Sequence, residues 1–387
     1  MAGRIVLFGA TGYTGRLTAE AMVERGLRPV LAARSRDRLD AMCSELGGLE
    51  AAVADVSDPP SVRALVEKGD VLVTTVGPFV RWGSVAAAAA SDAGAHYIDS
   101  TGEPPFIREV FERYGSAAEQ AGSAMLTAFG YDWVPGNLAG AIALERAGGE
   151  ATRVDVGYFM TGKGDTGSMS GGTKASLVGV MMEPSYAYCD GRINTERGAR
   201  SLRSFRVGGR EMQAISVGAS EHFTLPRLAP GLREVNAYLG WFGPASRAMQ
   251  LMSGGMSIGA KLPGVESLWK AAGERLVKGS TGGPDAAKRS QSGSHIVAIA
   301  YDSAGREVSE VHVAGVDGYT FTGRILAWGA ERAAAGGLNG TGALGPAEAF
   351  GLDELITGCA QAGISEQGKA APEVDSPHPP LASAPAG

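Results

Sequence analysis

The chain has 387 residues, enough for two domains of ordinary size around a substantial core. It is 44% hydrophobic and 20% charged with a net charge of −6, a soluble globular balance that gives no reason to expect a nucleic-acid partner. No apolar run approaches the ~20 residues needed to cross a bilayer, so no integral membrane segment is expected.

Cys43, Cys189 and Cys359 are scattered and show no metal-ligand spacing. Such a set predicts reduced thiols in a cytoplasm. The given N-terminus runs straight into the first strand, so no signal peptide is expected.

Residues 5–8 form a short apolar run that ends in Gly9, Gly12 and Gly15, and a helical pattern begins with Leu17. A strand, a glycine turn and a helix N-terminus together make an anion site. Glycine admits a pyrophosphate close to the backbone, and the free N–H groups face its charge. Gly9, Thr11, Gly12, Tyr13, Thr14 and Gly15 are therefore the candidate pyrophosphate contacts.

A second strand over 29–33 ends at Arg34-Ser35-Arg36, with Arg38 close behind. An NAD site places a carboxylate there, on the ribose 2′-hydroxyl. A guanidinium and a hydroxyl suit a 2′-phosphate instead, so Arg34 and Ser35 predict NADP(H). Arg36 and Arg38 are read as solvating the helix start.

A third strand over 51–54 ends in Asp55, which reads either as an acceptor for the adenine amino group or as a helix N-cap. A helix follows over 60–68, then a strand over 70–76 and the turn Val76-Gly77-Pro78-Phe79. That turn either shapes the floor under a nicotinamide or is a plain Gly-Pro turn. A helix over 84–93, a strand over 96–98, a long amphipathic helix over 105–121 and a strand over 124–128 complete the alternation. Strands separated by helices of this length predict a parallel, doubly wound α/β sheet.

The ligand side of such a sheet is the carboxyl end of its strands. Asp99 and Glu103 fall there as candidate substrate contacts. Tyr131, Asp132 and Trp133 fall at the next strand end, Trp133 as a further candidate substrate contact, and Tyr131 and Asp132 as candidate proton donors lining the substrate cleft or as an ordinary packing residue and cap.

After about residue 150 the pattern becomes α+β. Alternating runs occur over 153–161, 201–207, 211–217 and 234–241, and a hairpin is expected between 295–301 and 307–313. Ser170, Gly171, Gly172 and Thr173, in a glycine turn flanked by Lys163 and Lys174, read either as binding a substrate carboxylate or a phosphate or as the start of a simple N-capped helix. The stretches 319–335 and 346–362 read as helices that return to the first domain. The division expected is 1–130 with 315–364 as a discontinuous cofactor domain, 131–314 as a substrate and dimerisation domain, and 365–387 as a disordered tail. No metal site is expected.

GATGYTG, the Val-Gly-Pro-Phe turn, HYIDSTGE, GYDWVPGN, SGGTKAS, YLGW and PAEAFGLDELITGCAQAGI occur in that order. The series resembles the saccharopine dehydrogenase-like oxidoreductases, closest to their trans-acting enoyl reductase branch. The resemblance implies an NADP(H)-binding Rossmann domain, a second domain and often a homodimer. It also implies hydride delivery to a C=C bond of an enoyl or polyketide-type substrate, small or carrier-bound. The alternatives are C=N chemistry of the saccharopine type and a non-catalytic NADP(H) sensor. At Trp133 and Asn137 the chain departs from the branch, which has a small residue and an acid there.

Overall fold

The computed structural model describes residues 3–162, 184–259 and 282–368. Seven strands make the first sheet: β1 (Ile5–Phe8), β2 (Val30–Ala33), β3 (Ala51–Val53), β4 (Val71–Thr74), β5 (His96–Asp99), β6 (Ala124–Leu126) and, from far along the chain, β15 (Gly342–Ala343). They lie in the order β15-β6-β5-β4-β1-β2-β3, and every pair is parallel. The four residues of β1 are all buried, as are those of β2 and β4. Continuous apolar runs of this kind fit strands covered on both faces by helices.

The second sheet is mixed. Its strands are β7 (Arg153–Gly162), β8 (Pro184–Cys189), β9 (Arg192–Arg197), β10 (Leu202–Val207), β11 (Arg210–Val217), β12 (Glu234–Leu239), β13 (Ser292–Tyr301), β14 (Glu307–Val316) and β16 (Ile364–Glu366). The main path runs β10-β11-β12-β7-β13-β14-β16, with β8 beside β12 and β9. Only β12 and β7 pair in parallel within this path. The 295–313 hairpin forms as expected and is longer at both ends. Asp302 closes its turn by accepting from the Ala304 and Arg306 N–H groups.

Helices α1 (Tyr13–Glu24), α2 (Arg36–Glu45), α3 (Pro59–Arg63), α4 (Phe79–Ala93), α5 (Pro104–Glu109), α6 (Gly115–Ala121), α7 (Val134–Ala147), α8 (Glu221–Leu228), α9 (Ser246–Gly259), α10 (Ala286–Ser290), α11 (Gly318–Ala334), α12 (Pro346–Phe350) and α13 (Leu352–Ala362) connect and cover the strands. α11 packs along α1 and behind β1, β4 and β5. α7 is buried along almost its whole length and packs on β7, β13 and β14.

Several expected boundaries move, each for a local reason. The 60–68 helix stops at Arg63, and the Asp70 carboxylate then captures the Glu67 N–H at 3.0 Å. The 84–93 helix starts earlier, at Phe79, because the Glu103 carboxylate accepts from the Phe79 and Val80 N–H groups at 3.0 and 2.9 Å. The 105–121 helix contains a π segment over Val110–Tyr114. The 346–362 helix is two, split at Gly351, whose φ of 81° suits glycine. Ser365 and Glu366, read as tail, pair with β14.

Candidate functional site

The glycine turn stands between β1 and α1. Gly9 adopts φ 91°, and a β-carbon there would sit 2.8 Å from Thr75 Oγ1. A β-carbon on Gly15 would overlap the Gly9 carbonyl, so helix and strand approach as closely as they do only through glycine. Gly12 is the N-cap of α1 and brings no capping side chain, and the first turn carries no acid. The N–H groups of that turn therefore have neither a capping side chain nor an acid of their own to offset the positive end of the helix. This donor set fits a dinucleotide diphosphate.

Arg34 is exposed just beyond β2, and Ser35 is the N-cap of α2 without a side-chain cap bond. Asp55, beyond β3, accepts from both the backbone N–H and the hydroxyl of Ser57 at 2.8 Å. Those two bonds hold its carboxyl below the usual value, and the Arg34 guanidinium adds to the effect. Asp55 does not cap α3, whose N-cap is Asp58. Arg38 does more than solvate: its Nη2 donates to the Thr11 carbonyl at 3.0 Å, tying α2 to the glycine turn. Arg36 pairs with Asp40 instead.

Beyond β4, the Val76-Gly77-Pro78 turn leads directly into α4. Phe79 turns inward, 5% exposed, and packs on Phe106 with ring centroids 5.6 Å apart. The aromatic of this turn is thus a core residue, which corrects its reading as a nicotinamide floor. Glu103 is likewise buried, and its two oxygens cap α4 as described. Asp99 is fully buried and accepts from the Thr101 and Ala128 N–H groups at 2.8 and 2.9 Å, joining the loops after β5 and β6. Burial pushes its carboxyl up to about 6. Asp99 and Glu103 therefore shape the strand ends from beneath.

The loop after β6 carries Tyr131, Asp132 and Trp133. Tyr131 is buried, its ring 6.0 Å from that of Tyr158 on β7, and its hydroxyl donates to the Phe159 carbonyl at 3.4 Å. Burial raises its phenol. Trp133 is 1% exposed and stands edge-on to Tyr158 at 5.0 Å, an interior residue rather than a wall of an open cleft. Asp132 keeps some exposure, but its Oδ1 is enclosed and has no hydrogen-bond partner among the described residues. Burial pushes this carboxyl up to about 7. Its Oδ2 lies against the loop after β5, 2.9 Å from where a β-carbon of Gly102 would stand.

Two residues that the sequence did not single out complete this corner. Glu221, at the start of α8, is fully buried and accepts from the Tyr158 hydroxyl at 2.5 Å. The same hydroxyl accepts from the Gly136 N–H at 2.9 Å and lies 3.0 Å from the Trp133 carbonyl. Burial pushes Glu221 up to about 8, with the nearby Asp132 adding to the rise. Asn137, which occupies the position of the branch's acid, is buried and donates to the Trp133 carbonyl and the Ser220 hydroxyl, both at 2.9 Å. It bonds α7 to the head of α8. Ser170, Gly171, Gly172 and Thr173, with Lys163 and Lys174, lie outside the described residues.

Among the described residues no group of histidine, cysteine and carboxylate side chains could hold a metal ion. None of their helices is long and apolar enough to cross a membrane.

The parallel sheet in this strand order, with its glycine turn and bare helix N-terminus, defines a dinucleotide-binding α/β unit. Residues 5–126 match the family described as saccharopine dehydrogenase NADP binding domain. The apo histidine-tagged saccharopine dehydrogenase (L-Glu forming) from Saccharomyces cerevisiae shares the fold, with a TM-score of 0.58 at 14% identity over 94% of this chain and 99% of that one.

A Mycobacterium tuberculosis protein with the provisional name trans-acting enoyl reductase is 38% identical over 193 residues, 47% of this chain and 45% of its own. A trans-acting enoyl reductase from Mycobacterium ulcerans is 39% identical over 140 residues, 35% of this chain and 34% of its own. The chain thus matches less than half the length of these curated relatives.

Proposed function

We propose that the chain is an NADPH-dependent oxidoreductase that delivers hydride to a C=C bond of an enoyl, polyketide-type or other small metabolite, free or carrier-bound. In this reading residues 1–130 and 315–364 form the cofactor domain and 131–314 the substrate domain, and the protein works as a homodimer. The observation that carries the reading is the enclosed, unbonded Oδ1 of Asp132, at the carboxyl ends of the sheet and beside the loop after β5.

NADPH, when bound, supplies the hydride. The turn formed by Gly9, Thr11, Gly12, Tyr13, Thr14 and Gly15 holds the diphosphate. The Gly9 and Gly12 N–H groups donate to the Ala32 and Gly9 carbonyls, so these two glycines serve by letting the phosphates approach and the donors come from the rest of the turn. Arg34 and Ser35 hold the 2′-phosphate, Asp55 faces the adenine, and Val76, Gly77 and Pro78 border the nicotinamide. Asp132 is protonated near neutrality, because burial penalises its anion. It gives its proton to the substrate carbon that hydride addition leaves electron-rich. Tyr131 is the second candidate donor, with its hydroxyl turned to the Phe159 carbonyl in this structure.

One observation favours C=N chemistry as the second reading. Asp132 and Glu221 are neighbouring buried carboxyls, and no cationic side chain contributes to the shift of either. A protonated imine would supply that charge.

The test is NADPH oxidation with enoyl thioesters and, separately, with imines formed from keto acids and amines. Turnover of the thioesters that is lost in Asp132→Asn supports the proposal. Turnover of the imines alone transfers it to the second reading, and turnover of neither leaves a dinucleotide sensor.

A further inference from the structure

The glycine turn has a visitor from the second sheet. The segment that leads into β13 passes over Tyr13, the first residue of α1, and a β-carbon on Gly283 would overlap the Tyr13 ring. The Tyr13 hydroxyl donates to the Pro284 carbonyl. Arg289, on α10, donates from Nη1 to the Tyr13 hydroxyl at 2.9 Å and to the Pro284 carbonyl at 3.0 Å. Tyr319, at the head of α11, stands edge-on to Tyr13 with centroids 5.2 Å apart. Tyr13 is therefore gripped from the α11 side, and Arg289 is held beside the start of α1.

The charge here is one-sided. Arg38 reaches the turn from α2, through the Thr11 carbonyl. Neither Arg38 nor Arg289 has an acid within ion-pair distance among the described residues. Of the acids on these elements, Glu20 and Glu45 pair with Arg16 and Asp40 with Arg36, Asp285 caps α10 by accepting from the Lys288 N–H, and Asp37 lies in the first turn of α2. Asp317, whose field reaches Tyr13, caps α11 through the Tyr319 and Thr320 N–H groups. Arg38 at the Thr11 carbonyl and Arg289 at the Tyr13 hydroxyl thus stand on either side of the start of α1, whose first turn carries no acid, an arrangement that suits an anion.

We infer that Arg289 is a cofactor contact lent by the second sheet, binding the dinucleotide's diphosphate on the nicotinamide side while Arg38 and the turn hold it from the adenosine side. This rests on the proposed dinucleotide reading. The assignment to the nicotinamide side follows from topology: Tyr319, which meets Tyr13, heads α11, and α11 packs behind β1, β4 and β5, whereas Arg34 follows β2 on the other side of β1. A contact of this kind bridges the two sheets, so cofactor binding draws them together.

Titrations of NADPH, NADH and adenosine 2′,5′-bisphosphate, which lacks the nicotinamide-side phosphate, test the inference. Arg289→Ala should weaken NADPH and NADH alike by about tenfold or more, as for a lost charge-assisted contact, and leave the bisphosphate unchanged. Arg34→Ala should weaken NADPH and the bisphosphate and spare NADH. Tyr13→Phe keeps the ring against Gly283 and removes the hydroxyl that holds Arg289, so it should give a smaller loss in the Arg289→Ala pattern.

In Arg289→Ala the NADPH affinity should also fall less steeply with added salt. NADPH binding equal to wild type in Arg289→Ala, or an equal loss for the bisphosphate, overturns the inference alone. A wild-type protein that binds no dinucleotide overturns the reading beneath it as well.

Discussion

Tyr158 and Glu221 meet at 2.5 Å in the interior, between the first strand of the second sheet and the head of α8. The phenol also fixes the backbone of the next loop through Gly136 and Trp133. One hydroxyl therefore joins a buried acid to the loop that presents Asp132.

Glu221 carries a pH-dependent cost. Its folded-state value is about 8, well above the ~4.3 of an unfolded glutamate. Between those values the folded state holds a proton that the unfolded state has lost, so stability falls as pH rises. Glu221→Gln keeps an acceptor for Tyr158 and removes this slope. In melting series from about pH 5 to about pH 8, the variant should gain steadily on wild type. Parallel curves would mean that Glu221 ionises as freely when folded as when unfolded.

Gly136 is the tightest point of the same corner. A β-carbon there would overlap both the Tyr158 hydroxyl and Glu221 Oε1. Gly136→Ala should cost about 1–3 kcal/mol by overpacking. Chemical denaturation measures it, and a midpoint equal to wild type would show that the corner has slack.

Asp132 sets the pH profile of the proposed reduction. A donor with a value of about 7 is lost above that pH, so kcat/KM should decline through neutrality toward the alkaline side. Asp132→Asn should lower kcat by roughly 10²–10⁴-fold and abolish that limb. A variant that retains both rate and limb would move the donor role to Tyr131.

Arg34 should decide between the two nicotinamide cofactors. Arg34→Asp is expected to cost NADPH about 1.5–3 kcal/mol of binding and to leave NADH nearly untouched. Fluorescence titration of both cofactors reads this directly, and equal affinities before and after would place the 2′-phosphate elsewhere.

The strand, glycine turn and helix that open the chain are legible in the sequence because they are local. Three glycines, a strand before and a helix after lie within a dozen residues, and the arginine follows one crossover later. Their structural consequences are those that the spacing implies. Phe79 and Glu103 are harder, since position at a strand end says nothing of whether a side chain turns toward the cleft or the core.

Tyr158 and Glu221 are not legible at all. In its strand Tyr158 is one more apolar position in an alternating run, and Glu221 looks like an ordinary acid at the start of a helix. Only the packing of α7 on β7 and of α8 on α7 brings them to Asp132. Arg289 escapes for the same reason, separated from Tyr13 by 276 positions.

The strands near the end of the described chain have a bearing on biogenesis. β15 completes the edge of the first sheet on β6, and β16, some twenty residues later, completes the second on β14. During translation β6 must wait, unpaired along one edge, for more than two hundred further residues. A nascent chain thus exposes a sticky border in each half until β15 and β16 have been made, and a stop codon placed before residue 342 would leave both borders open to aggregation.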